Sequence, residues 1–379
     1  MHTYIRENAA FPAIFAFGDS ILDTGNNNNL RTLSKCNFFP YGRDFIGGKA
    51  TGRFGNGRVL SDIIAEGLGI KDLLAAYRDP DLSNNDIRNG VSFASGGSGL
   101  DDITATSQGV IWVPEQLNDF KDYIQKLNSI VGSEEKTKEI ILNAIFLISA
   151  GNNDLAITYF STSSRRFQYT VPAYTDQMIT WTRSFLQNLY DLGARKFAVL
   201  GTLPLGCLPG ARNSFGGILK LCLNYINEAA DMFNEKLSFE LNKLNTTLIG
   251  AKFVYVDMYH PLLDFVNNPQ KDGFINVADG CCCMSTVPTP CMDASQYVFW
   301  DYGHPTEKSH KTIAPRIVEE IKGSLGFIDV AGGCCCMATS PILCMDASQY
   351  IFWDIGHPTE KSYKTIAPRI VEKIQRNLA

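Results

Sequence analysis

The chain of 379 residues lacks any apolar stretch that approaches the ~20 residues of a membrane-spanning helix, so we expect no transmembrane segment. It also lacks an excess of basic residues: its formal net charge is −5, which argues against a nucleic-acid surface. The composition is that of a globular enzyme, because 45% of the residues are apolar and 19% are charged. This length is sufficient for one large α/β domain.

Histidine is scarce as well, so few residues can serve as a general base. The five histidines are His2, His260, His304, His310 and His357. Asp301 stands three residues before His304 in the string YVFWDYGHPTEKS, and in a turn of that length an aspartate reaches the imidazole and fixes its tautomer. A helix that begins near Thr306 explains the rest of this string but not the Asp–His pair.

A serine that such a histidine can activate lies near the start of the chain, in FPAIFAFGDSILDTGNNNN. Residues 14–17 form a continuous apolar run closed by Gly18, which predicts a buried strand with Ser20 just beyond its end. Open α/β sheets carry reactive side chains outside the carboxyl ends of their strands. A serine in that place becomes a nucleophile when a histidine removes its proton, although most serines at strand ends only form turns.

Two further loops offer hydrogen-bond donors for an oxyanion. GVSFASGGSG is an apolar strand that runs into a glycine cluster, where a backbone N–H can approach a substrate closely. IFLISAGNND is another buried strand, and it ends in asparagines whose amides can donate. A plain flexible turn and an Asx turn are the alternative interpretations of these two loops.

Four ordered blocks resemble the plant GDSL esterase/lipase family of the SGNH hydrolase superfamily: GDS, the glycine-rich second block, GNND and FWDYGHPTEKS. The resemblance covers nearly the whole chain, and the GxSxG elbow of ordinary α/β-hydrolases is absent from the sequence. It implies a serine esterase or lipase that cleaves small-molecule, lipid or carbohydrate esters through an acyl-enzyme, without a cofactor or metal. The matching residues are Ser20, Asp301 and His304 as the catalytic triad, and Ser20, Gly96 and Asn153 as the oxyanion hole.

The resemblance also implies the SGNH-hydrolase (flavodoxin-like) fold, three α/β/α layers around a central parallel five-stranded sheet. The alternation of apolar strands and helices in the sequence agrees with a parallel sheet covered on both faces. The predicted strands are residues 14–17, 91–94, 145–149, 196–200, 253–256 and 297–300. The predicted helices are residues 114–130, 172–192, 219–244 and 306–321.

The C-terminal part departs from the family, because residues 273–325 reappear as residues 326–378. Solenoids and propellers need about three or more such units, so we expect a hydrolase domain of residues 1–325 and a duplicated strand-helix segment of residues 326–379. Asp354 and His357 form a second candidate pair. We expect Asp301 and His304 to complete the site and strand 297–300 to enter the sheet, because nearer pairings tend to form sooner.

The duplicated segments hold eight of the eleven cysteines, and adjacent cysteines lack the spacing of a zinc site. Cys207 and Cys222 flank a glycine-containing loop and are candidates for a disulfide, but sequence cannot fix the connectivity. The family resemblance implies secretion, yet MHTYIRENAA lacks the apolar segment of a secretory leader, so we expect an N-terminus altered relative to the family. The cysteine-rich repeat keeps an alternative open: a catalytically silent relative, or a mis-assembled gene product, that only binds a ligand.

Overall fold

The structure, a computed structural model, describes residues 11–284, 289–326, 359, 360 and 364. The chain divides into two compact units, residues 1–320 and 321–379. The second copy of the repeat, with Asp354 and His357, lies almost entirely outside the described residues, so the predicted domain division stays a prediction. In the second unit, Lys364 and Glu360 form an ion pair at 2.5 Å.

Four parallel strands form the central sheet, in the spatial order β1-β2-β3-β4. They are β1 (Ile14–Gly18), β2 (Ile145–Ser149), β3 (Lys196–Leu200) and β4 (Lys252–Val256). The first three are buried along their whole length, which is why each contains a run of four apolar residues in the sequence. Gly18 pairs with Ser149, Ser149 with Leu200 and Leu200 with Val256, so all four carboxyl ends lie level at one edge.

The prediction of a fifth strand at residues 91–94 is wrong in detail, because in the described residues this segment makes only isolated bridges. Ala16 N–H donates to Val91, and the N–H of Phe93 donates back to Ala16, as in a parallel ladder. The next bond of that ladder would join Gly18 N–H to the Phe93 carbonyl. Gly18 N–H instead donates to Oε1 of Gln116 at 2.8 Å, so a side chain replaces one bond of the ladder, although Ser95 N–H still donates to the Gly18 carbonyl at 2.9 Å.

Helices cover both faces of the sheet, as the alternating pattern predicts. Their bounds are α1 (Leu60–Gly67), α2 (Asn84–Asn89), α3 (Asp102–Gln108), α4 (Gln116–Val131), α5 (Glu134–Asn143), α6 (Val171–Asp191), α7 (Pro209–Phe215), α8 (Asn224–Thr247), α9 (Tyr259–Asn267) and α10 (Glu307–Leu325). A π-helical segment, Asp154–Ser161, follows β2. Helix α8 begins five residues later than predicted from Leu219, because Cys222 is tied to Cys207 by a disulfide.

A second sheet of two parallel strands carries the C-terminal part of the site. Strand β5 (Asn276–Gly280) pairs with β6 (Tyr297–Phe299). The prediction that strand 297–300 enters the central sheet is therefore wrong. Among the described residues, disulfides also join Cys281 to Cys291 and Cys282 to Cys283, whereas Cys36 is a buried thiol.

The described residues contain no cluster of three metal-ligating side chains. Within the same residues, every helix is too short or too polar to cross a bilayer.

Candidate active site

The turn after β1 carries Ser20 and is fixed by contacts to its backbone. Gly18 has φ +118°, and a Cβ there would lie 1.7 Å from the carbonyl oxygen of Ser149, so the position requires glycine. The buried amide of Gln116 holds Gly18 from the other side: Oε1 accepts from its N–H and Nε2 donates to its carbonyl, both at 2.8 Å. These contacts fix the path of the backbone from the end of β1 to Ser20.

Asp19, directly before the serine, ties this turn to the loop after β2. Its carboxylate accepts hydrogen bonds from Ser149 Oγ and Asn152 Nδ2, both at 2.9 Å. Burial raises the pKa of Asp19, although these hydrogen bonds oppose the shift. The carboxylate thus holds the GDS and GNND loops side by side, as expected for loops at the carboxyl ends of neighbouring strands.

Ser20, His304 and Asp301 form one hydrogen-bonded chain. Ser20 Oγ lies 2.8 Å from Nε2 of His304, although the two residues are 284 positions apart in the sequence. Nδ1 of His304 lies 2.8 Å from Oδ1 and 2.9 Å from Oδ2 of Asp301. This is the nucleophile–base–orienting-group geometry of a serine hydrolase.

The electrostatics of the pair suit a proton acceptor. Burial would raise the pKa of Asp301, but the charge of His304 and hydrogen bonds from His304, Gly303 and Tyr41 outweigh it and hold that pKa below its usual range. Burial would lower the pKa of His304, but the Asp301 carboxylate outweighs it, so the pKa of His304 is raised. Asp301 therefore stays ionised at a pH at which the imidazole of His304 takes up a proton.

The expected oxyanion donors differ in whether their hydrogens are already bonded. Asn153 Nδ2 donates one hydrogen to the Ser98 carbonyl at 2.8 Å, which leaves its second amide hydrogen available. The N–H of Gly96 donates to Oδ2 of Asp23 at 2.8 Å, so it is already engaged. In the part of the chain that the structure describes, the backbone N–H groups of Ser20 and Gly97 have no acceptor.

The family model of GDSL-like lipases and acylhydrolases matches residues 14–317 of the sequence, and this range includes every residue of the site described above. The chain belongs to the GDSL lipase/acylhydrolase family. It is therefore a carboxylic ester hydrolase, as the sequence predicted.

Relatives from Arabidopsis thaliana agree with this assignment. The chain is 68% identical to GDSL esterase/lipase At1g23500, over 84% of this chain and 91% of that protein. It is 63% identical to GDSL esterase/lipase At1g73610, over the same shares of the two chains, and 49% identical to GDSL esterase/lipase EXL4, over 84% of this chain and 93% of the relative.

Two aromatic residues that the sequence pattern did not predict also contact the site of the GDSL hydrolase. The hydroxyl of Tyr41 donates to Oδ2 of Asp301 at 2.8 Å. The ring of Phe54 lies 5.2 Å from the ring of His304, centroid to centroid, and a Cβ on Gly96 would meet it at 2.1 Å. Phe54 thus fills the space between the glycine loop and the base.

The residue before Phe54 in the string TGRFGNGR forms a buried ion pair. Arg53 is 6% exposed and forms a two-point bond to Asp62, with both N···O distances at 2.8 Å. A string of glycine and polar residues such as TGRFGNGR favours a solvated loop, yet this arginine is buried. An arginine between Gly52 and Phe54 in a polar string gives no sequence signal of burial.

Proposed function

We propose that the GDSL hydrolase cleaves carboxylic esters through a covalent acyl-Ser20 intermediate. Nε2 of His304 takes the proton as Ser20 Oγ attacks the carbonyl carbon, and returns it to the leaving alcohol when the C–O bond breaks. Water then attacks the acyl-enzyme with His304 again as base, which releases the acid and restores the serine. The unbroken Ser20–His304–Asp301 chain of hydrogen bonds supports this mechanism and disfavours a catalytically silent relative.

For the oxyanion we propose the Ser20 N–H and the Asn153 amide, joined by the N–H of Gly97 in place of Gly96. Gly96 N–H is already bonded to the Asp23 carboxylate, and releasing it would leave a buried carboxylate with one donor fewer. Gly97 follows directly and has φ +86°, a conformation in which glycine is favoured. In this arrangement the Asp23 carboxylate holds the backbone of the glycine loop in place through the N–H of Gly96.

We further propose that the first repeat copy supplies the pair Asp301 and His304, that residues 1–325 form the hydrolase domain, and that the protein works outside the cytosol. The three disulfides among the described residues support an oxidising compartment.

The test is labelling with a fluorophosphonate, which reacts only with an activated serine, together with hydrolysis of p-nitrophenyl acetate. We expect labelling of the unsubstituted chain and of the His357→Ala variant, and its loss in Ser20→Ala and His304→Ala. Circular dichroism of each variant serves as the folding control. Labelling of Ser20→Ala would remove Ser20 from the mechanism. Loss in His357→Ala but not in His304→Ala would assign the base to the second copy.

A further inference from the structure

A disulfide-closed loop beside the triad carries an unusual concentration of exposed apolar side chains. We call residues 207–222, closed by the Cys207–Cys222 bond, the apolar loop. Four of its side chains face solvent: Phe215 is 58% exposed, Ile218 101%, Leu219 78% and Leu221 59%. Single exposed apolar residues are ordinary, but four within seven residues mark an interaction surface.

The backbone of the apolar loop is fixed, so these side chains are held outward. Arg212 is buried and binds two carbonyls: Nε donates to Lys220 at 2.7 Å and Nη1 donates to Val277 of β5 at 2.6 Å. Lys220 forms an ion pair with Asp279 on the same strand. Because the loop is anchored at several points, little conformational entropy is lost when it contacts a partner.

The apolar loop borders the catalytic residues directly. The N–H of Gly210 donates to the carbonyl of Tyr302 at 2.8 Å, and Tyr302 stands between Asp301 and His304 in the chain. The side chain of Tyr302 is itself 42% exposed. Helix α7 therefore begins at the edge of the site and leads from there to the exposed side chains.

The charges of the loop indicate what kind of surface this is. Between its two cysteines the sequence is LPGARNSFGGILKL, which contains no acidic residue and two basic ones. Both basic side chains are engaged, Arg212 with carbonyls and Lys220 with Asp279. Both cationic side chains of the loop are therefore already engaged and do not offer a charge to an anionic headgroup. The exposed aliphatic side chains suit the apolar boundary of a lipid layer.

We propose that the apolar loop anchors the enzyme to the surface of an aggregated lipid ester with uncharged or zwitterionic headgroups. This inference rests on the proposed function, because it names the physical state in which the ester reaches Ser20. Ile218 and Leu219 insert into the lipid layer, and the short connection through Gly210 and Tyr302 brings the layer to the triad. A dissolved short-chain ester needs no such contact.

The test separates surface binding from chemistry. Binding is measured by flotation with phosphatidylcholine vesicles in the Ser20→Ala background, so that the lipid is not consumed, and kcat/KM is measured with dissolved p-nitrophenyl acetate in the active chain. The variant is Ile218→Ser/Leu219→Ser. The matched control is Phe239→Ser/Ile249→Ser, which removes two equally exposed side chains in α8 and in the turn before β4.

We expect the loop variant to lose vesicle binding on the order of 100-fold, from the apolar surface it no longer buries, while its kcat/KM for the acetate stays unchanged. The control variant should keep both properties, and thermal unfolding should match for all three chains. Unchanged flotation of the loop variant would overturn the proposal, as would binding that requires phosphatidylserine in the vesicles. A fall in acetate hydrolysis would overturn it too and assign the loop to the acyl pocket. Vesicle binding without any acetate hydrolysis by the active chain would overturn only the proposed function.

Discussion

Replacing Asp301 by asparagine tests the proposed triad most directly, because it keeps the shape of the side chain and removes its charge. In the structure, Oδ1 accepts the N–H groups of Gly303 and His304, both at 2.9 Å, and Oδ2 accepts the Tyr41 hydroxyl. An asparagine keeps the first two bonds through its oxygen. Its Nδ2 then stands where Oδ2 accepted, and it donates to Nδ1 of His304.

That reversal moves the imidazole proton to Nε2, which faces Ser20 Oγ at 2.8 Å and can no longer accept the serine proton. We expect kcat to fall about 10⁴-fold, the usual effect of this tautomer change, which corresponds to about 5.5 kcal/mol of transition-state stabilisation. The fold should survive, because the volume is unchanged and two backbone hydrogen bonds remain.

The pH profile provides a second readout. The Asp301 charge raises the pKa of His304, and only neutral His304 accepts a proton, so activity of the unsubstituted chain rises with pH through that raised pKa. Without the carboxylate the pKa of His304 falls, and the acid limb of the residual activity moves to lower pH.

The assay is kcat for p-nitrophenyl acetate between pH 4 and 9, with Asp354→Asn, the same change in the second repeat copy, as the matched control. A loss below tenfold, or an equal loss in the control, would refute the reasoning.

Two further predictions follow from neighbouring contacts. Asn153→Ala should lower kcat by roughly 10²–10³ with little effect on KM, since one oxyanion donor is lost; a change confined to KM in steady-state kinetics would contradict that role. Arg53→Met should lower the free energy of unfolding, measured with urea, by about 3–5 kcal/mol, because it leaves the buried Asp62 carboxylate unpaired. Arg58→Met breaks partly exposed pairs to Glu66 and Glu307 and should lower the same free energy by about 1 kcal/mol or less. Equal losses for the two arginines would show that burial of the Arg53 pair is unimportant.

The sequence predicted the parts of the fold that depend on local apolar pattern. Each of the four strands of the central sheet contains a run of four apolar residues, and their positions match the prediction to within one residue. The Asp-x-x-His spacing likewise predicted the contact between Asp301 and His304, because a turn of that length brings the two side chains together. Family membership and ester hydrolysis were also predicted correctly, from four ordered blocks rather than from any single residue.

The remainder depends on contacts between distant parts of the chain, which a local pattern does not encode. Gln116 takes the N–H of Gly18, 98 residues away, in place of a backbone bond to the segment 91–94, and a glutamine at the start of a helix is not distinguishable from a surface residue. Strand β6 pairs with β5, whose sequence NVADG has no strand-like alternation. The predicted helix from Leu219 begins too early, because Leu219 and Leu221 lie exposed in the disulfide-closed loop before α8.

The division of the site between the two ends of the chain has a consequence for the order in which activity arises during synthesis. A ribosome adds His304 only 284 residues after Ser20. At about 5–20 residues per second, the nascent protein spends on the order of tens of seconds with a serine that has no base. In the proposed mechanism the unfinished enzyme is therefore chemically silent, and ester cleavage starts only once the segment that carries His304, which lies in the last tenth of residues 1–325, has left the tunnel and docked.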